Sequence, residues 1–416
     1  MISKHTCTNG VRIIHEKMPH VRSVALGVCI EAGSQDESKG EEGIAHFIEH
    51  MLFKGTPTRS ARTIAEQFDR MGGDVNAFTS KDMTCFYATV LGDHAETAIS
   101  ILEDMIFHSV FDEVEMEKEK SVVLEEIATV EDTPDDDVHE QLWRSMYPEH
   151  PIGKSILGSK YTIESFNKEM VRNFINRVYK PERIVISVAG NFDDRLINMI
   201  ETLFGSFESP SQKLVASNTE TPLFKPGIII KEKDVEQSHL CIGFPALALK
   251  DKRMYDLVIL DSILGSAMSS RLFQEVREER GLAYSVYSYY TSYEEGGSFI
   301  IYGGTSPEKT NELYETIDKI IEMVLTEGVS EEEIDQAKEH VIGGFLLSLE
   351  STESRMSRNG RNEIVYGKHR SIDDVVSDIQ SVKRENIIQI ANKILGNERA
   401  ISIIAPKETI EGIAFI

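Results

Sequence analysis

The chain reads as an α+β protein made of two homologous domains, each a mostly antiparallel sheet with helices packed on one face. Two observations predict this. The 416 residues are too many for one small core and suit two domains of about 200 residues each. One order of strand, helix, hairpin, helix, acidic helix and closing strand also occurs twice, a duplication at a period of roughly 200 residues and too long for a solenoid.

In the first half, VRSVALGVCIEAGSQDE (21–37) is a strand and loop, GIAHFIEHMLFKG (43–55) a helix, and GGDVNAFTSKDMTCFYATV (72–90) a hairpin. HAETAISILEDMIFH and EVEMEKEKSVVLEEIATVE (113–131) are helices, and ERIVISVAGN (182–191) closes the half. The second half repeats the order with VEQSHLCIGFPAL (235–247), MYDLVILDSILG (254–265), SVYSYYTSYEEGGSFIIYGG (285–304), EKTNELYETIDKIIEMVLTEG, SEEEIDQAKEHVIGGFLLSLE (330–350) and ERAISIIAP (398–406). Between them FESPSQKLVASNTETPLFKPG (207–227) is rich in Ser, Thr, Pro and Asn without sustained period, as linkers are. The expected division is residues 1–210, a linker at 211–226, and 227–416.

Composition is that of a soluble globular protein, 41% hydrophobic and 27% charged. No run of about 18 apolar residues is present to span a bilayer, and MISKHTCTNGVRII lacks the apolar core of a signal segment. The net charge of −25 argues against nucleic acid and anionic membrane as partners, since both reward basic patches. It suits solubility, or an acidic cavity that attracts cationic substrates. Cys7, Cys29, Cys85 and Cys241 show no CxxC or framework spacing and read as reduced, packed thiols of a cytoplasmic protein.

Chemistry concentrates in GIAHFIEHMLFKG. Ile44, Phe47, Ile48 and Met51 follow the spacing of a buried helical stripe, and Lys54-Gly55-Thr56-Pro57 stops the helix. At 100° per residue His46 and His50 point about 40° apart and Glu49 lies about 60° to the other side of His46. Two imidazoles so placed can share one zinc, with a carboxylate near enough to take a proton from water, the combination used in metal-assisted hydrolysis.

A catalytic zinc usually takes a third protein ligand. The acidic helix offers Glu113, Glu115, Glu117, Glu119, Glu125, Glu126 and Glu131. Its apolar face is marked by Met116, Val123, Ile127 and Val130. Relative to Val123, Glu126 is turned by about 60° and Glu119 by about 40°, while Glu125 is about 200° away. Glu119 and Glu126 therefore share the inward side, where a carboxylate is costly unless paired or metal-bound. One would ligate and the other would orient a histidine; periodicity does not say which.

HFIEHMLFKGT followed by Glu126 resembles the inverted zinc motif of the pitrilysin/insulinase family, in its half-length branch with mitochondrial processing peptidase and bacterial processing-protease-like proteins. The resemblance extends to GGDVNAFTS, HPIGKSILG (150–158) and SSRLFQEVREERGLAYSV (269–286). It implies a metalloendopeptidase with one zinc per chain on His46, His50 and Glu126, Glu49 as general base, and Glu119 orienting a ligand. It further implies that Asn76, Ala77 and Phe78 form the edge on which an extended substrate lies, and that Arg277 and Tyr284 contact the substrate carbonyl. The second copy lacks the metal residues: MYDLVILDSILG has no histidine, and Gly343-Gly344 stand where Glu125-Glu126 would be. Family members with four units enclose a chamber in one chain. Two units here imply a homodimer in which the partner's Arg277 and Tyr284 face the zinc, with a heterodimer as the alternative. The other class of function for this fold is a non-catalytic scaffold or peptide-binding subunit.

Other signals are weaker. Gly153-Lys154-Ser155 resembles the end of a phosphate loop, but that motif needs glycine at 148, which is Pro148. Asp135, Asp136 and Asp137 after Thr133-Pro134 suit a helix start. His5, His15, His20, His139 and His150 lack partners at ligand spacing, and Tyr287, Tyr289, Tyr290 and Tyr293 read as strand packing.

Overall fold

Strands whose two faces are both buried read as unbroken apolar runs, because side chains alternate across the sheet. SVALGVCI, IVISVAG and AISIIA are such runs, and the computed structural model, which describes residues 2–208 and 221–414, shows what covers them. Residues 211–220 of the expected linker lie outside the described residues.

Six strands form the first sheet: β1 (Ile2–Thr6), β2 (Arg12–Lys17), β3 (Ser23–Ile30), β4 (Asp74–Thr79), β5 (Thr84–Leu91) and β6 (Ile184–Gly190), in the order β1-β2-β6-β3-β5-β4. Only β2 and β6 run parallel. The second sheet contains β7 (Gly227–Glu232), β8 (Ser238–Ala246), β9 (Ala283–Ser292), β10 (Gly297–Thr305) and β11 (Ala400–Ala405), ordered β7-β11-β8-β10-β9. Its one parallel pair is β7 with β11. The second order repeats β2-β6-β3-β5-β4 strand for strand, so the duplication seen in sequence is a duplication of topology.

The chain divides into two compact units that exchange segments. One comprises Met1–Ile127, Ser155–Asn218 and Leu347–Arg370; the other comprises Ala128–Lys154, Thr219–Leu346 and Ser371–Ile416. In the first unit Val24, Leu26, Val28 and Ile30 of β3 face a core with α1 (Ile44–Leu52), α2 (Ala61–Met71) and α3 (Ala95–His108). α4 (Glu113–Asp132) joins that core through Met116 and Val123. Each fully buried aliphatic or aromatic side chain there contributes about 1.5–3 kcal/mol.

The opposite face is also covered. Helix Thr352–Tyr366, from the far end of the sequence, lays Met356 and Ile364 on Ala25, Cys29, Val185 and Ala189. A Cβ on Gly27 would lie 2.2 Å from Met356 Sδ, so glycine in the strand is what admits the helix. In the second unit α5 (Pro134–Met146) does the same for β8: Val138, Leu142 and Met146 cluster with Cys241, and a Cβ on Gly243 would lie 2.5 Å from Met146 Sδ. Helices thus lie on both faces of each sheet, against the one face expected from sequence. Strand patterns reveal that a face is buried, and say nothing of which distant segment buries it.

All four cysteines are free and buried. Among the described residues no helix is long and apolar enough to cross a membrane.

Candidate metal centre

α1 begins at Gly43, whose left-handed φ of 93° puts its Cα against Leu157 and Gly158; a Cβ there would meet Leu157 O at 2.6 Å. The first N–H groups of the helix find an acceptor in Glu37, whose carboxyl oxygens accept from Gly43 N at 2.9 Å and Ala45 N at 3.0 Å. Burial pushes the Glu37 carboxyl up to about 8, against the effect of those two donors. From this anchored start, Ile44, Phe47, Ile48, Met51 and Leu52 bury into the core, which leaves His46, Glu49 and His50 on the other side of the helix.

His46 and His50 bring their Nε2 atoms to 3.2 Å from one another. Glu126 of α4 places Oε2 3.7 Å from each of them. Zinc bonds of 2.0–2.1 Å in a tetrahedron require donors about 3.3 Å apart, so the three atoms need only small adjustments to share one ion. Among the described residues this is the one group of three or more metal-capable side chains that converge. His46 is buried, and burial together with the charge of His50 holds its imidazole down at about 4. It is therefore neutral at pH 7, as a ligand must be. The residues fit a divalent ion in donor type, number and spacing.

Glu119, two turns before Glu126 on α4, is buried and sets Oε1 2.8 Å from His50 Nδ1. A carboxylate on Nδ1 fixes the tautomer with its lone pair on Nε2, the outer contact that metal-binding histidines usually have. Glu49 accepts a hydrogen bond from the Thr79 hydroxyl at 2.6 Å. Burial raises its carboxyl above the ordinary range, and the Thr79 bond partly offsets this. A base with a raised pKa is better matched to proton transfer near neutrality.

Thr79 ends β4, the edge strand of its sheet, which pairs only with β5. Asn76 and Phe78 on this strand are exposed and Ala77 is half-buried. Asn76 Oδ1 accepts a bond from Ala77 N at 2.8 Å. The second edge of β4 is free among the described residues, and its end is tied to Glu49 through Thr79.

Arg277 and Tyr284 lie in the second unit, Arg277 within the π-helical stretch Phe273–Glu279 and Tyr284 near the start of β9. The Arg277 guanidinium sits 4.6 Å from the Tyr284 ring centre and 4.8 Å from that of Phe273, a cation–π stack. Tyr284 is 78% exposed, so this pair forms a presented surface feature.

Three residues with evident roles were missed by sequence reasoning: Glu37 at the start of α1, Thr79 on Glu49, and Lys54, whose Nζ lies 2.5 Å from Glu119 Oε2. Lys54 lies in the turn just past the end of α1, where helical phase no longer applies. Glu37 and Thr79 act across loops and had no local signal.

The model of a family described as Insulinase (Peptidase family M16) matches residues 12–160, and that described as Peptidase M16 inactive domain matches residues 165–341. A Bacillus subtilis protein named uncharacterized zinc protease YmxG is 48% identical over 406 residues, covering 98% of both chains. A Rickettsia felis protein named uncharacterized zinc protease is 39% identical, covering 96% of both. The crystal structure of a protease from Helicobacter pylori superposes with a TM-score of 0.91 at 21% identity, covering 98% of this chain and 99% of that one. At that identity the likeness speaks for the fold alone.

Proposed function

Because the chain belongs to the insulinase (M16) family of peptidases, we propose that it is a zinc-dependent endopeptidase that cuts extended or unfolded peptides inside a closed chamber. The observation that carries this reading is the approach of His46 Nε2, His50 Nε2 and Glu126 Oε2 to within 3.7 Å of one another, with Glu49 beside them on α1.

Held by His46, His50 and Glu126, one zinc ion per chain would supply Lewis acidity to a water and to the scissile carbonyl. Glu49 takes the proton of the attacking water and returns it to the leaving amine, a role its raised pKa suits. Thr79 keeps the Glu49 carboxylate in one orientation through the bond it donates. The peptide adds as a further strand along Asn76, Ala77 and Phe78, so that backbone hydrogen bonds give breadth and side-chain contacts give preference. In a homodimer the partner's Arg277 and Tyr284 donate to the carbonyl oxygen as charge develops on it. A cytoplasmic enzyme with these features would act on peptides and not on folded proteins.

The test is hydrolysis of an unstructured peptide library by the purified protein and by Glu49→Gln, with zinc content measured on both. The proposal expects cleavage by the first and at least about a hundredfold slower cleavage by the second at equal zinc. A non-catalytic peptide-binding subunit would bind the peptides and cut none; cleavage by Glu49→Gln at the wild-type rate would defeat the mechanism.

A further inference from the structure

Glu119 divides its two oxygens between His50 of α1 and Lys54 in the turn that follows the helix. Oε1 lies 2.8 Å from His50 Nδ1 and Oε2 lies 2.5 Å from Lys54 Nζ. His50 and Lys54 are four residues apart, and the turn that joins them is intact, with Phe53 N bonded to His50 O and Lys54 N to Met51 O. That tight turn carries Lys54 back beside His50, so the two side chains straddle the carboxylate that α4 presents. We propose that Lys54 is a positioning residue of the metal centre. By holding Oε2 it fixes Glu119 in the orientation that offers Oε1 to His50, and so keeps His50 Nε2 aimed at the point it shares with His46 and Glu126. This rests on the zinc reading given above.

The Glu119 side chain is 5% exposed, and a carboxylate so placed needs both oxygens satisfied. His50 can satisfy only one. Without Lys54, Glu119 turns toward whatever donor or solvent it can reach, and the Nδ1–H of His50 loses a fixed acceptor. The same contact docks α4 on α1, and Glu126 sits on α4 seven residues beyond Glu119. Loss of Lys54 therefore loosens a second donor as well.

An ammonium near a cation site also repels the cation, so removing it would tighten binding through charge alone. The two effects have opposite signs. The Lys54 side chain is 29% exposed, and solvent screens its field at the metal, whereas Glu119 has almost no access to solvent that could replace its partner. Positioning therefore dominates, and loss of Lys54 weakens metal binding.

Zinc affinity is measured by competition with a chromophoric chelator on full-length wild type, Lys54→Met, Lys54→Gln, Lys54→Arg, Glu119→Gln and the Lys54→Met/Glu119→Gln double variant. The visible spectrum of each cobalt(II)-loaded protein reports ligand geometry, and thermal unfolding of each metal-free protein reports the fold. Lys54→Met and Lys54→Gln should weaken zinc binding by about tenfold, within the range for outer contacts of metal ligands, and shift the cobalt bands. Lys54→Arg should retain both affinity and spectrum. The double variant should bind no more weakly than Glu119→Gln, since both changes act through one contact. Unchanged or tighter zinc binding in Lys54→Met and Lys54→Gln, or full additivity in the double variant, overturns the role of Lys54 while leaving the zinc reading intact. Failure of the wild type to take up zinc overturns both.

Discussion

The two sheets share one strand order and one device, a strand glycine against a methionine of the covering helix, at Gly27–Met356 and at Gly243–Met146. The helices that follow the first long strand differ. α1 carries His46, Glu49 and His50, while helix Met254–Asp261 carries Leu257, Ile259 and Leu260 into its core. α4 carries Glu119 and Glu126, while helix Glu331–Ser348 has Gly343 and Gly344, where an added Cβ would meet nothing within 4 Å. The second unit shows that the fold does not require the polar set. Burying an imidazole and a carboxylate at His46 and Glu119 costs free energy that an apolar pair would not, so packing alone does not account for them in the first unit.

The largest difference between the two units should be felt at Glu49. Glu49→Gln should lower kcat by about 10²- to 10⁴-fold, the usual contribution of a general base, with zinc content unchanged. A loss of zinc instead would make Glu49 a ligand. His50→Ala comes next: chelation should destabilise wild type by about 4 kcal/mol when zinc stands at 1,000 times its Kd, and should leave the thermal unfolding of His50→Ala unmoved. Equal chelator shifts in both would put the ion elsewhere.

The pH dependence of stability separates two buried groups. Burial raises the folded-state pKa of Glu37 from 4.5 to about 8. Its contribution is complete below the unfolded value of 4.5 and is lost as pH rises through about 8. Glu37→Gln should flatten that alkaline loss in denaturant titrations. His46 in the metal-free protein is depressed from 6.5 to about 4. Its contribution is complete above 6.5, is lost as pH falls through about 4, and amounts to about 3 kcal/mol. His46→Gln should remove the loss on that acid side, while zinc should shift it to lower pH. The smallest effect belongs to the edge strand: Phe78→Ala should raise KM by about fivefold with kcat nearly constant, since it removes contact made equally in ground and transition states. An unchanged KM would argue that the peptide lies elsewhere.

Much of this was legible in sequence because helices carry a strict period. The i, i+3, i+4 stripe of α1 set His46, Glu49 and His50 together on one side of that helix, and phase against Val123 set Glu119 and Glu126 together on one side of α4. Phase could not rank Glu119 against Glu126, because both satisfy it; the split into one carboxylate on Nδ1 and one near both Nε2 atoms depends on how α4 lies on α1. The duplicated topology was legible in the repeated order of elements. The exchanged helices were not. Nothing in TESRMSRNGRNEIVY marks it as the cover for a sheet built from the other end of the chain, since a single amphipathic helix fits many apolar faces. Glu37, Thr79 and Lys54 were passed over because a polar residue at a loop or helix end has solvent as its default partner.

On the reading proposed above, the first unit, and not the second, holds one metal ion through His46, His50 and Glu126. Anomalous diffraction at the zinc absorption edge, from crystals of protein purified without chelator, tests it most directly. One peak per chain is expected, within bonding distance of His46 Nε2, His50 Nε2 and a Glu126 carboxylate oxygen. A peak among other residues, or no zinc in protein that still cleaves peptides, would contradict it.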